Sequence, residues 1–511
     1  MSRLRALVRT AFALLALVAA SMPAPAQRPP RPGLRPLRRR PMPEEAADAL
    51  KGYGSGTHPV TVDAARTVGR IRSLLGTNRG PVSWERRSDR IACDHTEALK
   101  RFGVDGIRTH DFYGPTDWYV IFPDFSADPD DPAAYDFRSS DARIRPICER
   151  GFECLFRLGT SWRGPPESSP PINDPPGTVR DAAGRVVHEA DRDDFRKWAR
   201  ICVHIIQHYT EGWNDGQEYP ICYWEVWNEP DLREQFWAGR IEQYYVLYEE
   251  AARAIKAHRA DLKVGGPACT GALRETCVQR FIQYCRDRKV PLDFFSWHSY
   301  GARGALNPYV YRETASRIRQ ALDDAGFTEA ENFCTEWNAG IKHRLISQTP
   351  AGAPFYASAL AAMLDGGLDR AFQYCGDMHP GLGLFERPSG EPKICAYAFE
   401  AWKRLCETPH RLAATGADRK GYAVVAGRDE PGRRVRVLVS DFQSGCDGFA
   451  LRVEQLPWAD DEAFTVTCRV LDADHRLETV HESTGRGRTA TVERAAKAPS
   501  VWLIEIERSR E

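Results

Sequence analysis

Short apolar segments alternate along residues 74–407 with longer segments in which apolar side chains recur with helical periodicity. Eight of the short segments have the length and composition of buried strands. These predicted strands cover residues 74–77, 106–110, 153–158, 221–227, 263–266, 294–298, 332–336 and 371–374. The periodic segments, such as 240–258 and 309–325, predict helices between them. Eight strand–helix units require a parallel sheet that closes on itself, so the pattern predicts an α/β fold, a (β/α)8 TIM barrel, over residues 74–407.

The pattern changes over residues 408–511, where short β runs are joined by Gly, Asp and Pro turns. These runs, at 422–426, 435–440, 448–453, 465–471, 489–492 and 501–506, predict a β-sandwich accessory domain. Residues 58–73 are expected to add a strand to its sheet. Two roles stay open for this domain, a carbohydrate-binding module and a stabilising accessory sheet, and the second is favoured.

The N-terminal residues 1–26 have the pattern of a cleavable export signal. Arginines at positions 3, 5 and 9 precede an apolar run over residues 11–20, and the small residues Ala24-Pro25-Ala26 follow. The apolar run is too short to span a bilayer, so we expect a secreted or periplasmic protein without a membrane span. Residues 27–57 are rich in Pro and Arg and predict a solvated linker.

The composition of the chain excludes some classes of protein function. With 511 residues and 42% hydrophobic content, the chain can bury a large core. Lys+Arg and Asp+Glu each number 70, so the concentrated positive charge that nucleic-acid binding requires is missing. The 14 cysteines include no C-x-x-C motif. Some disulfides are plausible if the chain is exported, but their pairing, like the oligomeric state, is not indicated.

Two of the predicted strands end at a glutamate flanked by Asn and Trp. Glu229 follows the fourth strand in Trp227-Asn228-Glu229-Pro230, and Glu336 ends the seventh in Thr335-Glu336-Trp337-Asn338. Burying a carboxylate beside aromatic rings costs free energy, and TIM-barrel active sites lie at the carboxyl ends of the strands. Either motif alone could be a structural turn. Together they predict a pair of catalytic carboxyl groups for glycosidic-bond cleavage.

The surroundings suggest a different role for each carboxyl group. Trp224 and Trp227 lie near Glu229 in sequence and are expected to raise its pKa, as a general acid requires. Glu336 is then the nucleophile, kept ionised by donors on neighbouring strand ends, for which Arg108, His298 and Tyr300 are candidates. The spacing in sequence does not decide between retention and inversion.

Two histidines at strand ends, His110 and His298, also suggest metal binding. Neither an H-x-H nor an H-E-x-x-H motif accompanies them, so no metal and no other cofactor is expected. Arg108 fits either a structural ion pair or a substrate contact.

The ordered set of motifs resembles glycoside hydrolase family 39. The likeness runs over residues 106–376 and is carried by Ile107-Arg108-Thr109-His110, Tyr135-Asp136-Phe137, the run 223–231, Lys263-Val264-Gly265-Gly266-Pro267, Trp297-His298-Ser299-Tyr300 and Thr335-Glu336-Trp337-Asn338. The resemblance implies a retaining mechanism with Glu229 as acid/base and Glu336 as nucleophile. It also implies sugar contacts from His110, Asn228, His298 and Tyr300.

The resemblance indicates the class of sugar that the substrate contains, but not which sugar it is. Iduronidase-like members are expected to carry Lys near the position of Tyr300, so Tyr300 favours a neutral sugar, as in β-xylosidases. Xylosidase-like members usually have Trp at the end of the eighth strand, where this chain has Tyr374, which implies a wider floor beneath the sugar. Tyr374, Trp337 and Glu386 are further candidates for substrate contacts.

The favoured function is therefore a secreted retaining hydrolase of an oligo- or polysaccharide, similar to a β-xylosidase. Alternatives left open are a carbohydrate-binding barrel without turnover, an endo-acting exopolysaccharide hydrolase and a transglycosylase. Exo and endo attack are expected to depend on two insertions, at residues 111–136 and 163–190.

Overall fold

The computed structural model describes residues 54–85, 90–110, 114–161, 173–233, 235–301, 306–418 and 420–509, with the backbone alone at residue 341. The predicted export signal at 1–26 and residues 27–53 of the predicted linker lie outside this range. Among the described residues, no helix combines the length and the apolar character needed to cross a membrane.

The secondary structure comprises twenty-one strands and nine α-helices within the described residues. The strands are β1 (Thr57–Arg70), β2 (Gly76–Asn78), β3 (Val82–Trp84), β4 (Ile91–Asp94), β5 (Gly106–Arg108), β6 (Glu153–Leu158), β7 (Val179–Arg180), β8 (Val186–His188), β9 (Tyr223–Val226), β10 (Lys263–Cys269), β11 (Phe294–Ser299), β12 (Glu331–Trp337), β13 (Arg370–Tyr374), β14 (His410–Ala414), β15 (Tyr422–Arg428), β16 (Arg434–Asp441), β17 (Gly448–Glu454), β18 (Ala463–Leu471), β19 (Arg476–Arg486), β20 (Ala490–Ala495) and β21 (Ser500–Arg508). The helices are α1 (Thr96–Phe102), α2 (Trp118–Ile121), α3 (Arg138–Glu149), α4 (Arg192–Thr210), α5 (Ile241–His258), α6 (Gln279–Arg288), α7 (Val310–Asp324), α8 (Gly352–Asp365) and α9 (Ala396–Cys406), with 3-10 segments at Pro132–Ala134 and Ile341–Gln348.

Eight parallel strands close into a barrel, which confirms the predicted fold class. In chain order they are β2, β5, β6, β9, β10, β11, β12 and β13, and β13 pairs with β2 to complete the ring. Helices surround the ring; α5, for example, buries Tyr244, Leu247 and Tyr248 against it. Gly265 lets β10 approach β11 closely, because a Cβ there would lie 2.2 Å from the Phe294 carbonyl oxygen.

One end of the barrel is filled by aromatic and aliphatic side chains. Leu155, Tyr223, Phe294, Phe333 and Phe372 form this plug, and all belong to the first half of their strands or near it. The amino ends of the strands are thus closed by apolar packing. The polar and charged residues at the carboxyl ends remain for a functional site.

All eight predicted barrel strands overlap observed strands, with bounds that differ by up to three residues, and the difference at the first strand has an identifiable cause. The prediction of 74–77 becomes Gly76–Asn78 in the structure. Leu74 has φ +55°, a left-handed conformation that an apolar residue rarely adopts and that precludes an extended strand at that point. Apolar content alone therefore placed this strand two residues too early.

The second region is mostly sheet, as predicted, and its nine strands form one continuous sheet in the order β19-β18-β21-β16-β15-β14-β1-β17-β20. The sheet curls into two layers, since Phe449 on β17 meets Trp502 on β21 at a ring separation of 5.7 Å. Strand β1, before the barrel in sequence, pairs with β14 and β17. The sequence pattern missed β14 and β19; β19 alternates mainly charged and polar residues and is largely exposed.

The outer face of this sheet packs against the barrel helices. Phe442 contacts Phe355 of α8 at 5.7 Å between ring centres, and the Ser440 and Ser358 hydroxyls lie 3.0 Å apart. All fourteen cysteines fall within the described residues and all are free thiols, so the expectation of disulfides is not met in this structure.

Candidate active site

The two glutamates predicted from sequence come together at the carboxyl end of the barrel. Glu229 follows β9 and Glu336 lies on β12. They are nearly buried, with 7% and 4% of their surface exposed. A carboxylate oxygen of Glu229, a carboxylate oxygen of Glu336 and a ring nitrogen of His298 all lie within 4.8 Å of one another. The site therefore holds two close carboxyl groups with a histidine between them.

Glu336 is surrounded by hydrogen-bond donors from neighbouring strand ends. Its Oε1 accepts a hydrogen bond from Arg108 Nη1 at 2.8 Å, and His110 Nε2 lies 3.5 Å from the same oxygen. Its Oε2 accepts a hydrogen bond from the Tyr300 hydroxyl at 2.5 Å, and His298 Nδ1 lies 3.6 Å away. Charged and neutral donors at these distances favour the ionised carboxylate.

Arg108 is completely buried and holds more than the nucleophile candidate. Its Nη1 also donates to Asn78 Oδ1 at 3.0 Å, and its Nη2 donates to Asn228 Oδ1 at 2.8 Å. Its Nε donates to Glu225 Oε2 at 2.6 Å. Although burial alone would lower the pKa of Arg108, the carboxylates of Glu225 and Glu336 raise it. The guanidinium is therefore a permanent cation bound to protein groups, and the predicted substrate contact from Arg108 is wrong.

Two members of this network, Asn78 and Glu225, were not among the residues predicted for the site. Asn78 ends β2, and its Nδ2 also donates to the Thr335 carbonyl oxygen at 2.8 Å, which ties the first barrel strand to β12. Glu225 is fully buried on β9. A charged residue inside an apolar strand was the signal that could have found Glu225, because a buried charge requires a partner.

Glu229 has a different environment. Its Oε1 lies 2.7 Å from His298 Nδ1, and its backbone N–H donates to the Ala268 carbonyl oxygen at 3.1 Å. Residues before proline favour extended backbone, yet Glu229 has φ +48°, and Trp227 has φ +72°. Left-handed conformations at two non-glycine residues store strain, a common feature of catalytic loops.

The tryptophans expected to surround Glu229 point elsewhere. Trp224 packs against Phe156 at 5.1 Å, and Trp227 packs against Trp198 and Trp237 in the helix layer. The predicted apolar environment from these two rings is therefore wrong, because period-two alternation directs Trp224 away from the barrel interior.

The side of the site beyond Glu336 is formed by two tyrosines. Burial, followed by the charge of Glu336, raises the pKa of Tyr300, so its hydroxyl stays a donor at neutral pH. The ring of Tyr374, at the end of β13, lies edge-on to Tyr300 at 6.2 Å. Asn338 holds this strand end by donating to the Tyr374 carbonyl oxygen. The structure thus brings Tyr374 to the edge of the site, and its contact with substrate stays a prediction.

Two other predicted substrate contacts are not brought into the site. Trp337 is fully buried and packs against Tyr311, Tyr356 and Phe399, behind the barrel wall, so its predicted substrate contact is wrong. Glu386 lies in the hairpin that follows β13, where its backbone N–H donates to the Glu391 carbonyl oxygen. No contact described for Glu386 involves Glu229 or Glu336, and its role stays a prediction.

Three groups of described residues have the spacing of metal ligands: Asp231, Cys269 and Cys277; His188, Asp191 and Asp194; and the Glu229, His298 and Glu336 set itself. The first group's Asp231 already accepts hydrogen bonds from Thr270 and Gly271. The second group's carboxylates cap helix α4. In the third, both Glu336 oxygens accept hydrogen bonds from Arg108 and Tyr300, an arrangement that fits acid–base chemistry.

Comparisons with known proteins relate the chain to a family of glycoside hydrolases. Residues 178–376, which include both glutamates, match the model of Glycosyl hydrolases family 39. The match covers less than half of the chain, and over this region the chain is similar to the family. A β-xylosidase from Caldicellulosiruptor saccharolyticus is 29% identical over 236 residues, which are 41% of this chain and 46% of that protein. A second β-xylosidase, from Geobacillus stearothermophilus, is 39% identical over 124 residues, 24% of each chain. The family resemblance predicted from the motifs is thereby confirmed.

The fold comparison covers most of the chain. The crystal structure of a glucosidase from Croceicoccus marinus matches with a TM-score of 0.72 and 27% identity, and covers 89% of this chain and 100% of that one. The sequence matches are shorter, since this chain spans less than half the length of the two curated β-xylosidases.

Proposed function

We propose that this protein hydrolyses O-glycosidic bonds with retention of configuration, with Glu336 as nucleophile and Glu229 as acid/base. The observation that carries the proposal is the approach of the two carboxylates, whose nearest oxygens lie within 4.8 Å. Retaining glycosidases have carboxyl groups about 5–5.5 Å apart, whereas inverting enzymes separate them by about 6.5–9.5 Å to admit a water molecule. The family 39 match supports the same chemistry.

The two steps divide between the carboxyl groups. Glu336 attacks the anomeric carbon while protonated Glu229 donates its proton to the leaving oxygen, so the glycosidic C–O bond breaks and a glycosyl ester forms. Glu229 then takes a proton from water, which attacks the anomeric carbon and releases Glu336 as carboxylate. His298, 2.7 Å from Glu229 and 3.6 Å from Glu336, orients the proton-transferring group relative to the nucleophile.

Sugar recognition is supported by a buried donor on Asn228, the residue that precedes Glu229. Arg108 donates to Asn228 Oδ1, which fixes the amide so that Asn228 Nδ2 turns away from the guanidinium. This Nδ2 is buried and has no hydrogen-bond partner among the described residues. A buried unsatisfied donor is costly, and a sugar hydroxyl would satisfy it.

The glycone we favour is xylose, because both sequence relatives are β-xylosidases. A glucosidase-like preference is the second candidate, since the Croceicoccus marinus structure is a glucosidase and matches over its full length. Glucose carries a hydroxymethyl group that xylose lacks, and Tyr374 in place of a larger Trp floor leaves room for it. Aryl β-xyloside and β-glucoside hydrolysis rates distinguish the two.

The test of the reaction is hydrolysis of aryl glycosides followed by proton NMR of the first product. We expect chromophore release, loss of release in Glu336→Gln, and a first-formed sugar with the anomeric configuration of the substrate. A first product of opposite configuration would show inversion. Binding of xylo-oligosaccharides without turnover by the unmodified protein would show a carbohydrate-binding barrel, and cleavage only of polymers would show an endo-acting enzyme.

Export of the protein belongs to the same proposal. It is supported by the arginines and apolar run of residues 1–20 and the small residues at 24–26. N-terminal sequencing of the protein from the extracytoplasmic fraction should give a chain that begins near residue 27.

A further inference from the structure

The carboxylate of Glu225 has no part in the reaction just described, yet it lies at the centre of the charged network. It occupies β9 four residues before Glu229, and its side chain is fully buried. Its Oε2 lies 2.6 Å from both Nε and Nη2 of Arg108. Its Oε1 is buried without a hydrogen-bond partner among the described residues. Glu225 therefore interacts with the site through Arg108.

Arg108 links two buried carboxylates. One edge of the guanidinium faces Glu225, while Nη1 on the other side binds Glu336 Oε1 at 2.8 Å. The remaining N–H groups donate to the amide oxygens of Asn78 and Asn228. With these contacts every N–H of the guanidinium has an acceptor, so its orientation is fully specified by the protein. One positive charge thus serves two negative charges.

We propose that Glu225 is a positioning residue for the nucleophile: it fixes the orientation of Arg108 and shares its positive charge, so that Glu336 stays ionised without losing nucleophilicity. This inference rests on the proposed role of Glu336 in glycoside hydrolysis. If Arg108 faced Glu336 alone, the whole cation would stabilise one carboxylate. A carboxylate stabilised in this way binds its proton less tightly and attacks carbon more slowly.

Every charged or titratable group that faces Glu336 contributes to the predicted pH dependence. These are Arg108 and His110 from the end of β5, His298 and Tyr300 from the end of β11, Glu229 after β9, and Cys334 on its own strand. In the contacts described, Glu225 is linked to Glu336 through Arg108. Removing its charge leaves all the direct contacts in place, so a change in the acid limb reports the charge shared through Arg108.

The experiment compares Glu225→Gln with the unmodified enzyme in the pH profile of kcat/KM for an activated aryl glycoside. Glutamine keeps an acceptor for Arg108 and removes the negative charge. We expect the acid limb to move to lower pH by about 1 unit. We also expect kcat/KM on the pH plateau to fall about 10- to 100-fold. Glu225→Asp, which keeps the charge, should restore the position of the limb.

A matched control is Glu331→Gln. Glu331 begins β12, on the same strand as Glu336, and its carboxylate accepts a hydrogen bond from the Tyr223 hydroxyl at 3.0 Å near the plugged end of the barrel. Its substitution removes a carboxylate from the barrel without touching Arg108. The control should keep the acid limb of the unmodified enzyme.

Folding losses are separated from the proposed effect by covalent labelling. A 2-deoxy-2-fluoro glycoside with a good leaving group labels Glu336 only in folded protein, and the pH dependence of labelling reports the nucleophile per active molecule. An unshifted limb in Glu225→Gln would overturn the proposal and leave Glu225 a structural residue. An unmodified enzyme that neither turns over nor is labelled would instead overturn the proposed function.

Discussion

Glu229 and Glu336 both lie at the carboxyl end of the barrel, but the environments of their carboxylates differ. Glu336 receives Arg108 at 2.8 Å and Tyr300 at 2.5 Å, with two histidines within 3.6 Å. Glu229 has His298 at 2.7 Å and a left-handed backbone. The donors described around Glu336 favour its charged form, whereas the proposed role of Glu229 requires it to gain and lose a proton.

This difference indicates that the neighbouring side chains, and not the glutamate itself, determine the role proposed for each carboxyl group. Both glutamates follow similar sequence motifs, and both are nearly buried. What separates them is the guanidinium of Arg108, which comes from β5 and donates to Glu336 as well as to Glu225. Substitutions around each glutamate should therefore have unequal and diagnostic effects.

The largest effect is expected for Glu336→Gln. The amide is almost the same size and keeps its contacts with Arg108 and Tyr300, but it cannot form the glycosyl ester. We expect kcat/KM to fall by at least about 10^4-fold, with oligosaccharide affinity retained. Residual activity above a few per cent in a protein free of unmodified enzyme would place the nucleophile elsewhere. Initial rates and isothermal titration calorimetry provide the two measurements.

A smaller and substrate-dependent effect is expected for Glu229→Ala. Substrates with poor leaving groups need protonation of the leaving oxygen, so their kcat/KM should fall about 10^2- to 10^4-fold. Aryl glycosides with a nitrophenolate leaving group should lose much less in the first step. Azide, which needs no general base, should accelerate turnover and give a glycosyl azide of retained configuration. Equal losses for all leaving groups without azide rescue would contradict the acid/base assignment.

A third effect, smaller again, is expected for Tyr300→Phe. The substitution removes one hydrogen bond to a charged carboxylate, worth about 1.5–3 kcal/mol, and should lower kcat/KM about 10- to 100-fold. Because burial raises the pKa of Tyr300, its titration does not set the basic limb of the unmodified enzyme. The variant should therefore keep that limb. A displaced basic limb in Tyr300→Phe would show that the hydroxyl does titrate in the working range.

The sequence predicted those site residues whose position follows from topology alone. Once eight parallel strands close, their carboxyl ends meet, so Glu229, His298 and Glu336 had to come together. That prediction followed from the apolar pattern and from the spacing of the strands. The apolar pattern could not predict the left-handed turn at Leu74, which shifts β2, because a single residue with positive φ does not change the hydrophobic pattern.

The direction of the side chains at the site was not predicted correctly from the sequence. Residues on a strand alternate between the barrel interior and the helix layer. If Glu336 points inward, Trp337 must point outward, as it does, and the same rule separates Glu225 from Trp224. Grouping residues by motif ignored this alternation. The period-two rule, applied to β9 and β12, would have rejected Trp337 and selected Glu225.

The smallest effect on catalysis, and the sharpest test of that rule, is expected for Trp337→Phe. Trp337 adjoins Glu336 in sequence but packs on the helix side, where its indole N–H has no hydrogen-bond partner among the described residues. Phenylalanine should therefore lose apolar contacts alone, lowering stability by about 1–2 kcal/mol while KM changes less than about 2-fold. Tyr374→Ala is the matched comparison, because Tyr374 borders the site and its loss should raise KM about 10-fold. Thermal unfolding measures the stability of both variants, and steady-state kinetics measures their KM. A raised KM in Trp337→Phe would mean that the ring beside the nucleophile reaches the sugar after all, and alternation along β12 would then be the wrong guide to which neighbours belong to the site.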